Sequence, residues 1–244
     1  MVGLMTNKVY GLPCSICPSS DAVTKYPDGW KKCYSCDKWT PPKESMSGKC
    51  VQISDNSFEF PGDYSTDIPI EYHNWFTQYG LSVDDVHCYK FGYSMKVKRI
   101  IIPLDDNKKK WIGRRVYNWQ SKYITPTGQS YAPFKAYGDG YNLILVEDCL
   151  SAIKVSLATN LGPSWALLGV GNRKIGGMVR KLNPKKVYIW MDGDIAGIRG
   201  AKKLYNWLSL YFDCDIILTE KDPKEYNLEE IREFLSGKKR KEMQ

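Results

Sequence analysis

The chain has 244 residues, 43% of them hydrophobic, which is enough to bury a core in one large domain or in a small and a medium one. Its formal charge of +8 at pH 7 suits a polyanionic partner without identifying one. There is no stretch of about 18 apolar residues, and residues 1–10 lack the apolar core of a signal peptide. We therefore expect no membrane span and a cytoplasmic location.

Four of the eight cysteines form two close pairs near the start of the chain. Cys14 and Cys17 are followed, after 15 residues, by Cys33 and Cys36. This spacing is typical of a zinc ribbon, in which each pair contributes two thiolates to a tetrahedral site. We predict one structural Zn²⁺ in a β-ribbon over residues 1–42, within a reducing compartment. A ribbon of this size has little apolar core, and the metal should therefore supply much of the free energy of folding of the ribbon.

The predicted ribbon also interleaves aromatic and basic side chains. Trp30, Lys31 and Lys32 stand just before the second cysteine pair, with Tyr34 and Trp39 close by. Aromatic rings stack on unpaired bases and lysines bind phosphates, so we predict that Trp30, Lys31 and Lys32 contact single-stranded nucleic acid. The alternative is that Tyr34 and Trp39 simply pack the ribbon.

Residues 43–66 are rich in Ser, Gly, Lys and Asp and are predicted to form a linker. Residues 67–140 form the next predicted unit, with two short helical patterns followed by strand-like runs over 99–104 and 110–116. Five basic residues lie on or after these runs: Arg99, Arg114, Arg115, Lys122 and Lys135. Arginine suits bidentate phosphate contact, so we expect the group to bind nucleotide and template. For each of the five, a solvated surface position is the alternative.

Residues 141–244 alternate regularly between strand and helix patterns. This alternation predicts a mainly parallel sheet with helices on both faces and a site at the carboxyl ends of the strands. The predicted strands are 142–146, 164–168, 186–191 and 214–218, and the predicted helices are 149–159, 173–182, 196–212 and about 228–235.

Carboxylates follow three of these strands. Glu147 closes the first strand, Asp192-Gly193-Asp194 closes the third, and Asp222 lies beyond the fourth. Carboxylate oxygens suit Mg²⁺, which binds one or two of them together with water and phosphate. We predict a Mg²⁺ or Mn²⁺ site for phosphoryl transfer at Glu147, Asp192, Asp194 and Asp222. Alternatively, Asp192-Gly193-Asp194 is a turn that caps the next helix.

With these motifs in this order, the chain resembles the DnaG-type primases, and most closely the primase half of the podoviral primase-helicases. The two cysteine pairs resemble the family's zinc-binding domain, and Glu147 with Asp192-Gly193-Asp194 resembles its Toprim acidic motifs. Lys221-Asp222-Pro223 resembles a further acidic motif. The resemblance implies an α/β fold: a zinc ribbon joined by a linker to an RNA polymerase domain, whose basic subdomain spans 67–140 and whose Toprim subdomain spans 141–244.

The resemblance also implies the activity, which is synthesis of short RNA primers from ribonucleoside triphosphates on a single-stranded DNA template in phage DNA replication. A separate replicative helicase would be a partner. Asp192, Asp194 and Asp222 would hold the catalytic ions, and Glu147 would be a further ligand or a base.

Two positions depart from the family pattern: Ser151 stands where a second acid is usual, and Trp30 stands where the podoviral relatives carry a histidine. Two other functions stay open, a Toprim nuclease that acts on DNA and a non-catalytic zinc-ribbon protein that binds single-stranded DNA.

Overall fold

The computed structural model describes residues 8–27, 29–40, 59–118, 120–126, 128–169 and 174–238. Most of the predicted linker over 43–66 lies outside these residues. In the described part of the chain, no helix combines the length and the apolar character needed to cross a membrane.

The N-terminal unit is a four-stranded antiparallel sheet with its strands in chain order. Among the described residues of this unit, the buried hydrophobic side chains are those of Val23 and Cys33. Such a small apolar core is typical of a fold that relies on a metal. The strands are β1 (Val9–Leu12), β2 (Val23–Lys25), β3 (Lys31–Cys33) and β4 (Trp39–Thr40).

The middle unit combines short helices with a second antiparallel sheet. The helical pattern over 71–79 divides into a 3₁₀ turn, Ile70–Tyr72, and α1 (Asn74–Thr77), and α2 (Val83–His87) follows. Ser82 starts α2 with a capping box, in which its Oγ accepts from the Asp85 N–H at 3.1 Å. The strands are β5 (Gly92–Ser94), β6 (Arg99–Pro103), β7 (Trp111–Arg115) and β8 (Tyr123–Ile124), in chain order.

The C-terminal unit is built on a five-stranded sheet in the order β13-β12-β10-β11-β9. The four strands β10 to β13 are parallel, and β9 pairs with β11 in the antiparallel sense. The mixed α/β class with a mainly parallel sheet is therefore confirmed. The strands are β9 (Phe134–Ala136), β10 (Leu143–Val146), β11 (Ser164–Ala166), β12 (Val187–Ile189) and β13 (Cys214–Ile216). Because β9 precedes residue 140, this sheet extends into the segment predicted as the basic subdomain.

Helices cover both faces of this sheet. Successive side chains of a strand point to opposite faces, so strands that are apolar at successive positions need a covering layer on each face. Ile144 and Val146 of β10 belong to a core on one face, whereas Leu143 and Leu145 belong to a core on the other. The helices are α3 (Cys149–Ala158), α4 (Ile175–Leu182), α5 (Ile195–Leu208) and α6 (Leu228–Ser236), with a 3₁₀ turn at Pro223–Glu225. The core that contains Ile144 and Val146 includes residues of α3 and α6, and the other includes residues of α4 and α5.

The register of the sheet aligns the carboxyl ends of three neighbouring strands. Leu145 of β10 lies opposite Ile189 of β12, which lies opposite Ile216 of β13. The loops that follow these strands therefore emerge at one edge of the sheet, which is where ligands bind in parallel α/β sheets.

Two adjacent glycines in α4 provide a test of the packing on this sheet. A Cβ at Gly176 would lie 1.9 Å from the Trp207 ring, whereas a Cβ at Gly177 would meet nothing within 4 Å. We expect Gly176→Ala to lower the free energy of unfolding by about 1–3 kcal/mol through overpacking. We expect Gly177→Ala to raise it by about 0.5–1 kcal/mol through helix propensity. Denaturant unfolding measures both, and equal effects at the two positions would contradict this packing.

Candidate functional site

The four predicted zinc ligands come together at one end of the N-terminal sheet. Their sulfur atoms lie within 4.8 Å of one another, with Cys14 to Cys36 at 3.9 Å and Cys17 to Cys33 at 3.8 Å. A tetrahedral zinc with Zn–S bonds of about 2.3 Å needs sulfurs about 3.8 Å apart. The backbone N–H groups of Ile16 and Cys17 donate to the Cys14 sulfur and lower its pKa to about 6. The cluster therefore fits structural zinc.

Aromatic side chains form an exposed surface on the same sheet. Tyr34 is 58% and Trp39 51% exposed, and both also contact Tyr26 of the ribbon, Tyr34 through a hydroxyl–hydroxyl hydrogen bond of 2.7 Å and Trp39 through rings with centres 5.5 Å apart. Trp30, 41% exposed, meets Trp39 edge-on with ring centres 6.3 Å apart. The Lys32 ammonium lies 5.2 and 5.5 Å from the ring centres of Tyr34 and Trp39, and Lys31 is exposed on the same strand. The surface thus offers rings and positive charge together.

An acidic cluster lies at the edge where β10, β12 and β13 end. Carboxylate oxygens of Asp148, Asp192 and Asp222 lie within 4.8 Å of one another. The structure thus brings together two of the four predicted metal ligands, Asp192 and Asp222, and adds Asp148. Asp148 was not among the predicted ligands, although it directly follows Glu147.

Glu147 and Asp194 border this cluster without belonging to its closest set. Glu147 interacts electrostatically with the cluster and raises the pKa of Asp192, and Asp194 in turn raises the pKa of Glu147. Asp194 also starts α5, where its Oδ1 accepts from the Gly197 N–H at 2.6 Å. The helix-capping alternative is therefore correct for Asp194, and capping leaves its second oxygen available.

Two carboxyl groups in this region have strongly raised pKa values. Burial, followed by the charge of Asp194, raises the pKa of Glu147 to about 7. Burial, followed by the charge of Asp148, raises the pKa of Asp192 to about 8. The Asp192 Oδ1 atom is buried and has no hydrogen-bond partner among the described residues. Repelling, under-satisfied carboxylates of this kind fit a divalent cation such as Mg²⁺ or Mn²⁺, which would bind the oxygens and favour their charged form.

One cation of the chain itself already lies in the cluster. The Lys224 Nζ donates to Asp148 Oδ2 at 2.8 Å and to Asp222 Oδ2 at 2.6 Å. Although burial disfavours its charge, the carboxylates of Asp148 and Asp192 raise the pKa of Lys224. Burial by itself would raise the pKa of Asp148, but the charge of Lys224 holds the pKa of Asp148 below its usual value. Lys224 was not among the predicted site residues, and the signal for it in the sequence is its place two residues after Asp222.

Gly193 is what allows the loops after β12 and β13 to meet. A Cβ at this position would lie 2.4 Å from the carbonyl carbon of Glu220. The Gly193 N–H donates to Asp222 Oδ1 at 3.2 Å. The close approach of these two loops therefore sets the position of Asp222 in the cluster.

The predicted phosphate-binding residues divide into different environments. Arg99 is buried, and its guanidinium donates to the Ser121 carbonyl at 2.9 Å and to the Gly113 carbonyl at 3.3 Å. Burial lowers the pKa of Arg99 to about 10. The expectation that Arg99 binds phosphate is corrected, because its donors hold β7 and the segment before β8 together.

Arg114 and Lys122 lie on the side of the acidic cluster. Arg114 interacts electrostatically with Asp148, and its Nε is buried without a hydrogen-bond partner among the described residues. Lys122 is exposed and lowers the pKa of Glu147. Charged donors therefore border the cluster on the side of the middle unit.

The other two basic residues lie elsewhere. Arg115 donates to the carbonyls of Asn118 and Gln120, and its guanidinium lies near Gly11 of the ribbon. Lys135 is on β9, at the far edge of the sheet, with its ammonium 4.9 Å from the centre of the Trp165 ring. The described contacts connect neither residue with the acidic cluster.

Comparison with known proteins identifies the fold. No protein-family profile and no curated protein matches the sequence. The zinc-binding and RNA polymerase domains of the Aquifex aeolicus primase align over 97% of this chain and 80% of that one, with 17% identity and a TM-score of 0.55. The primase fragment of the bacteriophage T7 primase-helicase protein aligns over 94% of this chain and 98% of that one, with 18% identity and a TM-score of 0.52.

A DnaG primase catalytic domain solved with bound single-stranded DNA aligns over 72% of this chain and 74% of that one, with 14% identity and a TM-score of 0.54. The structural neighbours are thus DnaG-type primases, and the chain has the fold of their zinc-binding and RNA polymerase domains. The predicted resemblance is confirmed at the level of the fold.

The four-cysteine cluster leads to a prediction about metal content. We expect the purified protein to hold one zinc per chain and the variant Cys33→Ser, Cys36→Ser to hold none, because two thiolates cannot complete the site. The ribbon should then unfold, since metal binding supplies its folding free energy. Elemental analysis and tryptophan fluorescence measure these changes. Cys88→Ser, at an exposed cysteine outside the cluster, is the control and should keep its zinc.

Proposed function

We propose that the protein is a DNA primase that makes short RNA primers from ribonucleoside triphosphates on single-stranded DNA during phage DNA replication. The observation that carries the proposal is the acidic cluster of Asp148, Asp192 and Asp222 at the carboxyl edge of the sheet, in a chain that aligns almost end to end with primases. The DNA bound to a related catalytic domain supports a single-stranded template as the partner.

The proposed reaction is attack of a primer 3′-hydroxyl on the α-phosphorus of a ribonucleoside triphosphate. A new O–P bond forms and pyrophosphate leaves. Asp192, Asp194 and Asp222, with Glu147 as a further ligand or as the base, would hold Mg²⁺ or Mn²⁺. When bound, the ions neutralise phosphate charge and stabilise the attacking and leaving oxygens.

We assign nucleotide binding first to Arg114 and Lys122. Both interact electrostatically with acids of the site, so phosphates held by the metal ions would come within their reach. The unpartnered Arg114 Nε offers a donor to an anion. Arg115 and Lys135 lack such a connection, and we keep them only as sites for the template backbone.

The ribbon is proposed to read the template. Its exposed rings at Trp30, Tyr34 and Trp39 offer stacking surfaces, and Lys31 and Lys32 supply positive charge for phosphates. A replicative helicase is proposed as a partner, supported by the origin of one neighbour in a primase-helicase protein.

Asp192 provides the most direct test of catalysis. We expect Asp192→Asn to reduce nucleotide addition at least about a hundredfold, because loss of an ion removes stabilisation of the transition state. Binding to single-stranded DNA should stay nearly unchanged. The assay follows labelled ribonucleotides on single-stranded DNA with Mg²⁺, and binding is measured by fluorescence anisotropy.

Asp213→Asn is the control for Asp192→Asn, since Asp213 forms a surface ion pair with Lys186 away from the cluster. Wild-type protein that degrades DNA with Mg²⁺ and ignores ribonucleotides would instead be a nuclease. Protein that binds DNA without either reaction would be a non-catalytic binding protein. Either result would refute the proposed activity.

Trp30 tests the division of labour between the ribbon and the catalytic unit. We expect Trp30→Ala to weaken primer initiation more than extension of a supplied primer, since base stacking contributes about 1–3 kcal/mol per base. Trp30→Phe should keep most of the initiation rate because it retains a ring. Equal losses of initiation and extension in Trp30→Ala would show that the ribbon does not select the start site.

A further inference from the structure

We propose that Lys224 takes the place of one divalent cation in the acidic cluster, so that the site binds one ion fewer than its carboxylates alone would hold. The inference rests on the proposed primase function, because it concerns the ion requirement of that same site. It goes beyond that function in giving a defined role to a residue that no motif of the sequence had indicated.

The position of the ammonium group is the first argument. Its Nζ lies 2.8 Å from Asp148 Oδ2 and 2.6 Å from Asp222 Oδ2, and both residues belong to the three-aspartate set that is able to hold a metal ion. Mg²⁺ bound by the same carboxylates would lie about 2.1 Å from their oxygens. An ammonium and an ion in this space would overlap and repel, so one excludes the other.

The hydrogen bonds of Asp148 are the second argument. Its Oδ1 accepts from the N–H groups of Leu150 at 2.9 Å and Ser151 at 3.1 Å. Its Oδ2 accepts from the Ser151 hydroxyl at 3.0 Å as well as from Lys224. Protein donors therefore engage both oxygens of Asp148, which acts as the counter-ion of Lys224 and the cap of α3.

Ser151, like Lys224, makes this side of the cluster less negative than the family pattern implies. It stands where the resemblance calls for an acid, and its side chain is fully buried. Instead of adding a negative charge beside Asp148, it donates a hydrogen bond to that carboxylate. The serine removes one negative charge from this side of the cluster, and the lysine adds one positive charge.

The surroundings hold Lys224 in place, which a substitute for a bound ion requires. Its side chain is only 12% exposed. The Lys154 ammonium, on α3, donates to the Lys224 carbonyl at 2.8 Å, and the ring centre of Tyr79 lies 5.5 Å from the Lys224 Nζ. Pro223 restricts the backbone immediately before it. The charge is therefore positioned before any substrate arrives.

The opposite side of the cluster keeps its capacity for a metal. Asp192 Oδ1 is buried without a hydrogen-bond partner among the described residues, in contrast to the engaged oxygens of Asp148. On that side Glu147 interacts electrostatically with Asp192, and Asp194 interacts with Glu147. The fixed ammonium and the exchangeable ions thus divide the cluster. Asp148 lies on the ammonium side and Glu147, Asp192 and Asp194 on the ion side, and Asp222, which also binds the ammonium, is shared between them.

Counting bound Mn²⁺ by electron paramagnetic resonance tests this inference. Zinc-loaded protein is titrated without nucleotide or DNA, so the result does not depend on primer synthesis. We expect Lys224→Met to bind one more Mn²⁺ per chain than the wild type. Lys221→Met is the matched control, because this exposed lysine lies in the same loop and its loss changes the net charge equally. Its ion count should equal that of the wild type.

The Asp148→Asn substitution locates the additional ion. In the wild-type background it should leave the Mn²⁺ count unchanged, because Asp148 pairs with Lys224 there. In the Lys224→Met background it should remove the additional ion. An unchanged count in Lys224→Met, or a loss of one ion from the Asp148→Asn single variant, would overturn the inference.

A stability measurement covers the case in which Lys224→Met folds poorly without metal. The midpoint of thermal unfolding of this variant should then rise more with added Mn²⁺ than that of the wild type, because the ion binds only the folded site. Lys224→Gln, which keeps a hydrogen-bond donor without the charge, should show the same gain in ion count and in Mn²⁺-dependent stability. Variants whose midpoint of thermal unfolding stays low at every Mn²⁺ concentration would refute the proposal that the ammonium of Lys224 takes the place of an ion.

Discussion

Repulsion among carboxylates at one edge of the sheet is the constraint on which the rest of this structure depends. Asp148, Asp192 and Asp222 lie within 4.8 Å of one another, with Glu147 and Asp194 beside them. The charge of Lys224 and the N–H groups at the start of α3 and α5 offset part of this repulsion. Burial, together with the repulsion that remains, raises the pKa values of Glu147 and Asp192.

Packing beneath that edge holds the acids where they repel. Two of the strands that deliver them, β10 and β12, are buried along their whole length. Trp190, directly after β12, packs against Tyr226 and Phe234, which follow Lys224 in the chain. The Trp190 Nε1–H donates to Thr219 at 2.8 Å, which links the loops after β12 and β13. Hydrophobic burial thus supplies the free energy that an electrostatically strained site requires.

The two candidate metal sites of the chain differ in what stabilises the fold around them. Thiolates, which are soft ligands suited to zinc, stand in a ribbon whose described residues form almost no apolar core, so a bound zinc would stabilise the fold there. Hard carboxylate ligands, suited to Mg²⁺ or Mn²⁺, stand on a sheet with a full core, and there the fold prepares a site for the metal. The aromatic side chains at Trp30, Tyr34 and Trp39 lie on the exposed surface of the ribbon and add no core to the first unit.

The sequence by itself determined the cysteine cluster, the alternation of strands and helices, and the presence of Asp192 and Asp222 at one edge, because spacing and periodicity are local properties. The short strands β5 and β8 were missed because neither lies in a longer apolar run, whereas such runs reveal β11, β12 and β13, which are also only three residues long. Tertiary structure alone decided that the donors of Arg99 are engaged inside the protein while Arg114 borders the site. It also decided that Lys224 meets Asp148, a residue 76 positions away. The physical reason is that the partners of a charged side chain depend on how distant segments pack, whereas the periodicity of a strand depends only on its neighbours in sequence.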